Sequence, residues 1–220
     1  MVTEENRFQE GDLIAVGDIH GRIDLLQKFL KLVNGTGVRL LFLGDLIDRA
    51  KNPGDDPRVL ASVHILMKNP SIAGLQEVKC LMGNHESMFL SAVKGQTDLW
   101  VQNGGSLKDF PQMKSHAEWI KDLPFTHQEG DTLFVHAGIR PGVPLEDQAK
   151  EDLVWIRHRF LHAEVLGVEG VEFVVHGHTP NFLGFPVLKR NRLCLDSGAF
   201  FSGRLTCFNH RSGEVFQVCD

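Results

Sequence analysis

Side chains that bind divalent metal ions occur in short clusters along this sequence. They combine carboxylates, one amide and imidazoles, and a carboxylate can bridge two ions through its two oxygens. This mixture suits borderline ions such as Mn²⁺, Fe²⁺ or Zn²⁺. It suits Ca²⁺ poorly, because Ca²⁺ prefers oxygen ligands alone. The candidate metal ligands are Asp18, His20, Asp45, Asn84, His136 and His178.

Each cluster follows an apolar run of strand length. The runs are rich in Val, Ile, Leu and Phe, which indicates strands buried on both faces. In α/β folds, polar side chains gather in loops beyond the carboxyl ends of the strands. A single Asp-x-His pair occurs by chance in many proteins, but complementary ligands after successive strands indicate one shared site. The runs are Leu13–Val16, Val38–Leu43, Val78–Met82, Thr132–Val135 and Phe173–Val175.

Helical periodicity between these runs predicts an α/β fold. Apolar residues from Ile23 to Val33 share one helical face, and those from Val59 to Met67 share another. The C-terminal part differs, because short turns separate consecutive apolar runs. That pattern predicts an antiparallel meander and therefore a mixed sheet system. The runs of the meander are Val187–Lys189, Leu193–Leu195, Leu205–Phe208 and Val215–Val218.

The composition predicts one globular domain over residues 1–220, with 42% apolar and 23% charged residues. A net charge of −5 argues against a nucleic-acid partner and against binding to anionic membranes. The polar start Met1–Gln9 has no apolar core, so we expect no secretory signal. The four cysteines form no C-x-x-C pair, and we expect free thiols in a cytoplasmic protein of undetermined oligomeric state.

The series GDIHG, GDLIDR, GNHE, HAG and HGHT resembles the phosphoprotein phosphatase family of dinuclear metallophosphatases. The short chain, Trp155-Ile156-Arg157 and the Asp196-Ser197-Gly198-Ala199 segment resemble its small bacterial and bacteriophage lambda-type members. The resemblance extends from about Leu13 to Cys207, which is most of the chain. It implies a metallophosphatase-type β-sandwich of mixed sheets flanked by helices.

The resemblance also implies a role for each motif residue. His85 matches the general acid and Asp48 the carboxylate that orients it, while Arg49 and Arg157 match phosphate-binding arginines. Arg159 stands close enough to Arg157 to be an alternative. The first metal ion would take Asp18, His20 and Asp45. The second would take Asp45, Asn84, His136 and His178, with Asp45 as the bridge.

The implied reaction is hydrolysis of phosphate monoesters by a hydroxide that bridges two divalent ions, with Mn²⁺ expected and Fe or Zn as alternatives. The expected substrate is a protein or peptide phosphorylated on serine or threonine. The rival on the same fold is a symmetrical dinucleoside tetraphosphate hydrolase, which commonly reads GNHD where this chain has Gly83-Asn84-His85-Glu86. An inactive scaffold is the third alternative, which the full set of predicted ligands disfavours.

Four further features remain open at this stage. The family usually has Gly-Pro after Asp-Arg, whereas this chain has Ala50, which should avoid positive φ. Residues from about 95 to 130 are expected to form either a helical cap or a wall that selects substrate. His176 precedes a predicted ligand without matching one, so we expect a supporting or substrate-side role. The remaining histidines are expected on the surface or in helix packing.

Overall fold

The apolar runs that precede the polar clusters all form strands in the computed structural model, which describes residues 7–220. The expectation for Met1–Gln9 therefore lies mostly outside the described residues. The strands are β1 Leu13–Val16, β2 Arg39–Phe42, β3 Glu77–Cys80, β4 Thr126–Glu129, β5 Thr132–Val135, β6 Phe173–His176, β7 Val187–Lys189, β8 Arg192–Cys194, β9 Arg204–Asn209 and β10 Val215–Cys219.

These strands form two five-stranded mixed sheets. The first has the order β10-β9-β1-β2-β3, and the second has the order β4-β5-β6-β8-β7. In the first sheet, β1, β2 and β3 are parallel, and in the second, β5, β6 and β8 are parallel. Antiparallel strands complete both sheets. The predicted mixed architecture is confirmed.

The predicted single C-terminal meander is wrong. The β7–β8 hairpin belongs to the second sheet, while the β9–β10 hairpin belongs to the first. The reason is that β8 pairs in parallel with β6, whereas β9 pairs antiparallel with β1. Local turn signals specify the two hairpins but do not specify which sheet edge each one joins.

Helices cover the outer faces of the sandwich. The predicted helical face from Ile23 to Val33 is buried in α1, and Val59 and Leu60 begin the buried face of α2. No helix within residues 7–220 has both the length and the apolar character needed to cross a membrane. The helices are α1 Ile23–Val33, α2 Asp55–Lys68, α3 Asn84–Val93, α4 Asp98–Gln102, α5 Met113–Ile120, α6 Lys150–Trp155, α7 His158–Leu161 and α8 Ala199–Ser202.

Alternation along the strands divides the core into three layers. Ala15 and Leu41 of the first sheet meet Phe134 and Val175 of the second in the layer between the sheets. The opposite face of the first sheet packs on α1 to α5, and that of the second sheet packs on α6 and α7. Because both faces of each sheet are covered, the strand ends leave one polar edge where the loops after β1, β2, β3, β5 and β6 meet.

Candidate metal centre

The structure brings the predicted metal ligands to one place at the carboxyl ends of the parallel strands. Asp45 lies at the centre, because one carboxylate oxygen is 3.4 Å from Nε2 of His136 and the other is 3.6 Å from Nε2 of His20. Two groups with metal-binding spacing, His20–Asp45–His85 and Asp45–His136–His178, therefore share this carboxylate. All six predicted ligands are buried: Asp18, His20, Asp45, Asn84, His136 and His178.

Hydrogen bonds orient the imidazoles with a lone pair toward the centre. Nδ1 of His20 donates to the carbonyl oxygen of Ile47 at 2.9 Å, so its Nε2 carries no proton in the neutral ring. Nδ1 of His136 donates to the carbonyl oxygen of Leu43 at 2.9 Å with the same result. A bond to a backbone carbonyl is the usual device that fixes the tautomer of a metal-bound histidine.

Acceptor atoms are crowded in a way that fits a cation. The Asn84 side-chain oxygen lies 2.9 Å from Nε2 of His136 and 2.8 Å from Nδ1 of His178. In addition, Oδ1 of Asp18 is buried and has no hydrogen-bond partner in residues 7–220. Buried polar atoms normally have partners. A divalent ion would satisfy these lone pairs, so the residues present fit a metal site.

The charges of the centre also fit bound metal. Burial lowers the pKa of His20 to about 3 and that of His178 to about 2, which keeps both rings in the neutral, metal-binding form. Burial together with the charges of Asp196 and Asp45 raises the pKa of Asp18 well above its usual value. Several buried carboxylates close together repel one another, and divalent cations would remove that penalty.

Close backbone packing explains two glycines of the motifs. A Cβ on Gly177 would lie 2.0 Å from Oδ1 of Asp18, and one on Gly83 would lie 2.3 Å from Oδ1 of Asp45. Neither glycine has a positive φ. Because these two residues have no side chain, the backbone can pass close to the carboxylates. The glycines are therefore not needed here for a sharp turn, which is the usual role of glycine in a loop.

Backbone strain is confined to the same centre. Within residues 7–220, every non-glycine residue with positive φ is a predicted site residue. Ala50 is not among them, which agrees with the expectation that a residue with a Cβ avoids positive φ. Asp48 and Arg49, the two residues before it, adopt the left-handed conformation instead. Such conformations cost about 1–3 kcal/mol and persist where the surrounding structure imposes them. These residues are His20 (46°), Asp45 (51°), Asp48 (71°), Arg49 (64°) and His178 (66°).

His85 and Asp48 form a buried pair beside the metal ligands. Nδ1 of His85 lies 2.6 Å from the Asp48 carboxylate, and its Nε2 lies 3.9 Å from Asp45. Burial alone would lower the pKa of His85, but the charges of Asp45 and Asp48 outweigh burial and raise it. The Trp100 indole also donates to Asp48, at 2.9 Å. The pair can therefore hold a proton on His85 at the edge of the centre.

Glu86 is a site residue to which the sequence analysis gave no role. Its carboxylate accepts hydrogen bonds from the backbone N–H groups of Asp45 and Leu46, both at 2.8 Å, and of Gly83 at 3.1 Å. It therefore ties the loop after β2 to the start of α3. Burial raises its pKa to about 7. A glutamate in the first turn of a helix was the available signal, but such a residue usually serves only its own helix.

Both predicted arginines reach the cavity above the centre, which has a volume of about 250 Å³. Arg49 donates to Nε2 of His20 at 2.7 Å, and Arg157 lies near the backbone of His178, with Nη2 3.4 Å from its carbonyl oxygen. Arg159 does not line the cavity, so the geometry favours Arg157. From the segment at about 95–130, Asn103 contributes to the cavity wall.

The remaining titratable candidates lie outside the centre. His176 is buried at the end of β6, edge-on to Phe160 with ring centroids 5.0 Å apart, and belongs to neither metal-binding group. The other histidines pack against neighbouring rings or lie near the surface, as His64 does on Trp119. All four cysteines are free thiols, as expected.

With this geometry in place, comparison with known proteins defines the class. Residues 12–198 match the calcineurin-like phosphoesterase family. The match covers most of the chain and includes every residue of the centre described above, so the chain belongs to this family of metallophosphoesterases. The predicted family and fold are confirmed.

Individual relatives carry two different names. The chain is 30% identical over 87% of its length, and 88% of the relative's, to serine/threonine-protein phosphatase 1 of Salmonella typhimurium. It is also 30% identical over 58% of its length to the symmetrical bis(5'-nucleosyl)-tetraphosphatase of Dechloromonas aromatica, of which it spans 44%. A solved structure described as a putative diadenosine tetraphosphatase superposes with a TM-score of 0.69 at 21% identity, covering 95% of this chain and 93% of that one.

Proposed function

We propose that this metallophosphoesterase is a serine/threonine protein phosphatase. The observation that carries the proposal is the buried His85–Asp48 pair, at 2.6 Å, beside the carboxylate shared by two metal-binding groups. A serine or threonine alkoxide is a poor leaving group and needs a proton as it departs. The His85 imidazole, held by Asp48 at the edge of the centre, would provide that proton.

The buried ligands would hold two divalent ions, and we propose Mn²⁺ in the cell. Asp45 would contact both ions, which agrees with its central position. Its backbone N–H donates to the Glu86 carboxylate, and its own carboxylate accepts from the backbone N–H of His85, so both contacts fix its loop. When bound, such ions make a water molecule nucleophilic at neutral pH and offset the charge of the phosphoryl oxygens. Mn²⁺ is favoured over Ca²⁺ because imidazole nitrogens contribute alongside oxygens.

The chain's own residues would bind and orient the phosphoryl group. Arg49 and Arg157 both line the cavity, and a guanidinium can bind two oxygens at once. The Phe200 ring lies 5.1 Å from the Arg49 guanidinium and restricts its orientation. We propose that the segment at about 95–130 acts as a wall of this cavity, because it contributes Asn103 there and Trp100 to the His85–Asp48 pair.

The protein-phosphatase assignment is supported by the extent of the similarity. The relative named as a serine/threonine phosphatase matches along 87% of this chain, while the tetraphosphatases match along 58–61% and share only 44% of their own length with it. The Asp48-Arg49 and Asn84-His85-Glu86 motifs add support. We place the reaction in the cytoplasm, because Cys80, Cys194 and Cys207 are buried free thiols.

A second candidate, hydrolysis of dinucleoside tetraphosphates, is favoured by aromatic side chains at the mouth of the cavity. Phe182 is 83% exposed and stacks on Phe201, with ring centroids 5.8 Å apart. Both rings line the cavity and continue inward through Phe200. Exposed aromatic rings of this kind can stack on a nucleobase.

One experiment tests the function and separates the candidates. The purified chain is treated with a chelator, checked for metal by elemental analysis and reloaded with Mn²⁺. We expect activity to disappear and return, and kcat/KM to be higher for a phosphoserine peptide than for diadenosine tetraphosphate. Full activity in metal-free protein would contradict a metal-dependent reaction. The opposite substrate ranking would assign the second candidate.

For the second candidate, Phe182→Ala is the matched variant. It should raise KM for diadenosine tetraphosphate and leave the phosphopeptide unaffected, because only the nucleotide carries a base to stack. Equal effects on both substrates would remove this argument for a nucleotide.

A further inference from the structure

Trp100 is buried beside the His85–Asp48 pair, although it belongs to α4 and not to the loops of the metal centre. Its indole nitrogen lies 2.9 Å from one oxygen of the Asp48 carboxylate and 3.0 Å from the other, so both oxygens share one N–H. Nδ1 of His85 contacts the second of these oxygens at 2.6 Å. Asp48 has no exposed surface, and a buried carboxylate needs hydrogen-bond donors. The indole therefore contacts the group that orients the proposed acid, rather than the acid itself.

Aromatic packing and the backbone hold the indole in place. The centroids of the Phe89 and Phe110 rings lie 5.5 and 5.9 Å from that of the indole. Phe89 follows His85 by one turn in α3, so the helix that carries the proposed acid also packs on the indole. A Cβ on Gly105 would lie 2.2 Å from the indole ring, which shows how closely the chain passes. The ring is thus confined, and its N–H is directed at Asp48.

The segment 100–105 also reaches the cavity above the metal centre. Asn103 lines that cavity. Gly104 has a φ of 104°, and a Cβ there would lie 3.0 Å from Cγ of Arg49. Asp48 and Arg49 both have positive φ, a conformation that persists where the surrounding structure imposes it. The segment 100–105 contacts both of these residues and therefore supplies part of that surrounding structure.

Core packing alone does not explain the hydrogen bond of Trp100. Trp119, from the same part of the chain, stacks on His64 with ring centroids 4.7 Å apart. Its Nε1 is buried and has no hydrogen-bond partner among residues 7–220. An indole can therefore be buried in this protein without placing its N–H on a partner. The N–H of Trp100, by contrast, has a carboxylate at hydrogen-bond distance.

We propose that Trp100 is a positioning residue for the general acid and acts through the Asp48 carboxylate. The proposal rests on the proposed function, because proton donation by His85 belongs to that reaction. As the P–O bond to serine breaks, Nε2 of His85 gives its proton to the departing oxygen, while Nδ1 stays bonded to Asp48. If the carboxylate were free to turn, the imidazole would point Nε2 at the departing oxygen less often.

This role determines which phosphate esters depend on Trp100. The departing oxygen of an alkyl ester such as phosphoserine needs a proton, whereas nitrophenolate departs with little protonation. The hydrogen bond should therefore matter for alkyl phosphates and hardly matter for aryl phosphates. A tryptophan that only filled the core would affect both kinds of substrate equally, because its loss would change the amount of folded, metal-loaded enzyme.

Steady-state kinetics of Mn²⁺-loaded Trp100→Phe on a phosphoserine peptide and on p-nitrophenyl phosphate tests the proposal. On the phosphopeptide we expect kcat to fall by about 3–10-fold, with KM changed by less than about twofold. On p-nitrophenyl phosphate kcat should change by less than about twofold, and the Mn²⁺ content should stay the same. Trp119→Phe is the matched control, because its indole N–H has no partner among residues 7–220. It should keep kcat on both substrates.

A double-mutant cycle shows whether Trp100 acts through Asp48. In the Asp48→Ala background, Trp100→Phe should lower kcat on the phosphopeptide by less than about twofold, because the carboxylate is already absent. If Trp100→Phe does not fold, Gly105→Ala serves as the second variant. Its Cβ would displace the indole, and Gly105 has no positive φ that would disfavour alanine. It should show the same selective loss on the phosphopeptide.

Nitrogen-15 NMR of the indole groups tests the hydrogen bond without the reaction. The Trp100 indole N–H is assigned by its loss in Trp100→Phe. Its proton resonance should move upfield in Asp48→Ala, because the proton loses a charged acceptor. The Trp119 indole resonance should not move.

The proposal is overturned if Trp100→Phe leaves kcat on the phosphopeptide unchanged or lowers kcat equally on both substrates. It is also overturned if the effect of Trp100→Phe persists in Asp48→Ala, or if the Trp100 indole resonance does not respond to Asp48→Ala. Each of these results in a chain that hydrolyses the phosphopeptide would leave the proposed function intact. A chain that shows the indole shift but does not hydrolyse the phosphopeptide would reject the proposed function, and the positioning role with it, while the hydrogen bond would stand.

Discussion

Replacing His85 by asparagine separates proton donation from metal binding. His85 follows the predicted ligand Asn84 directly and stands near Asp45, so it also has the spacing of a ligand. Its Nδ1, however, is held by Asp48 at 2.6 Å, which leaves Nε2 toward the cavity. If His85 donates the proton, His85→Asn should keep its metal content and lose the acid.

The expected magnitude follows from the role and the leaving group. Loss of a general acid lowers kcat by about 10²–10⁴ on a serine alkoxide, or roughly 3–5.5 kcal/mol in activation free energy. On p-nitrophenyl phosphate the loss should stay below about tenfold, because nitrophenolate departs with little protonation. Asp48→Asn removes a charged hydrogen bond of about 1.5–3 kcal/mol, which corresponds to roughly a 10–150-fold loss on the phosphopeptide.

The assay compares metal stoichiometry and both substrates across the variants. Asp45→Asn should lose metal and activity together, because it removes the carboxylate shared by the two groups. His158→Asn, the same substitution at an exposed histidine of α7, should behave as wild type. The reasoning is refuted if His85→Asn loses metal, or if it loses equal activity on the two leaving groups.

Three further substitutions test other parts of the structure. Glu86→Gln should weaken Mn²⁺ binding by about 10–100-fold in a competition titration, because it disturbs the three N–H contacts that hold the ligand loops. Arg157→Gln should raise KM for a phosphopeptide by about tenfold, whereas Arg159→Gln, outside the cavity, should not. Asp12→Asn should lower the free energy of unfolding at pH 7 by about 1–3 kcal/mol. Burial opposes ionisation of Asp12, but hydrogen bonds, led by that from Arg211, hold its pKa below the usual value. The stabilisation by the ionised Asp12 should therefore be lost as the pH falls below about 4. Urea unfolding of both variants at pH 7 and pH 3 measures this loss.

The sequence predicted β1 and β5 well because each is a short buried run followed by a polar cluster. Leu13–Val16 and Thr132–Val135 have the same bounds as predicted, and β6 is one residue longer than predicted because it ends at His176. Strands buried on both faces need apolar residues at nearly every position, so the first and last residue of such a strand can be predicted from the sequence. The sheet to which each C-terminal hairpin belongs was not visible, because edge pairing depends on distant strands.

The candidate metal-binding residues were also visible in the sequence alone. Asp18, His20 and Asp45 each follow a strand, and strand ends on one edge of a sheet must lie together. Ligand chemistry is a property of residue type, and the motif series carries it without reference to structure. The same holds for the exclusion of a C-x-x-C zinc or redox site.

Only the tertiary structure decided how these residues are held. Glu86 ties the loop after β2 to α3, Trp100 reaches Asp48 from a segment 52 residues away, and positive φ falls on the site residues themselves. It also left Arg192 buried without an acidic partner among residues 7–220. These features depend on contacts between residues far apart in the chain, on desolvation and on backbone strain. A sequence specifies which side chains are present, but their pairing and exposure to water are set when the two sheets pack together.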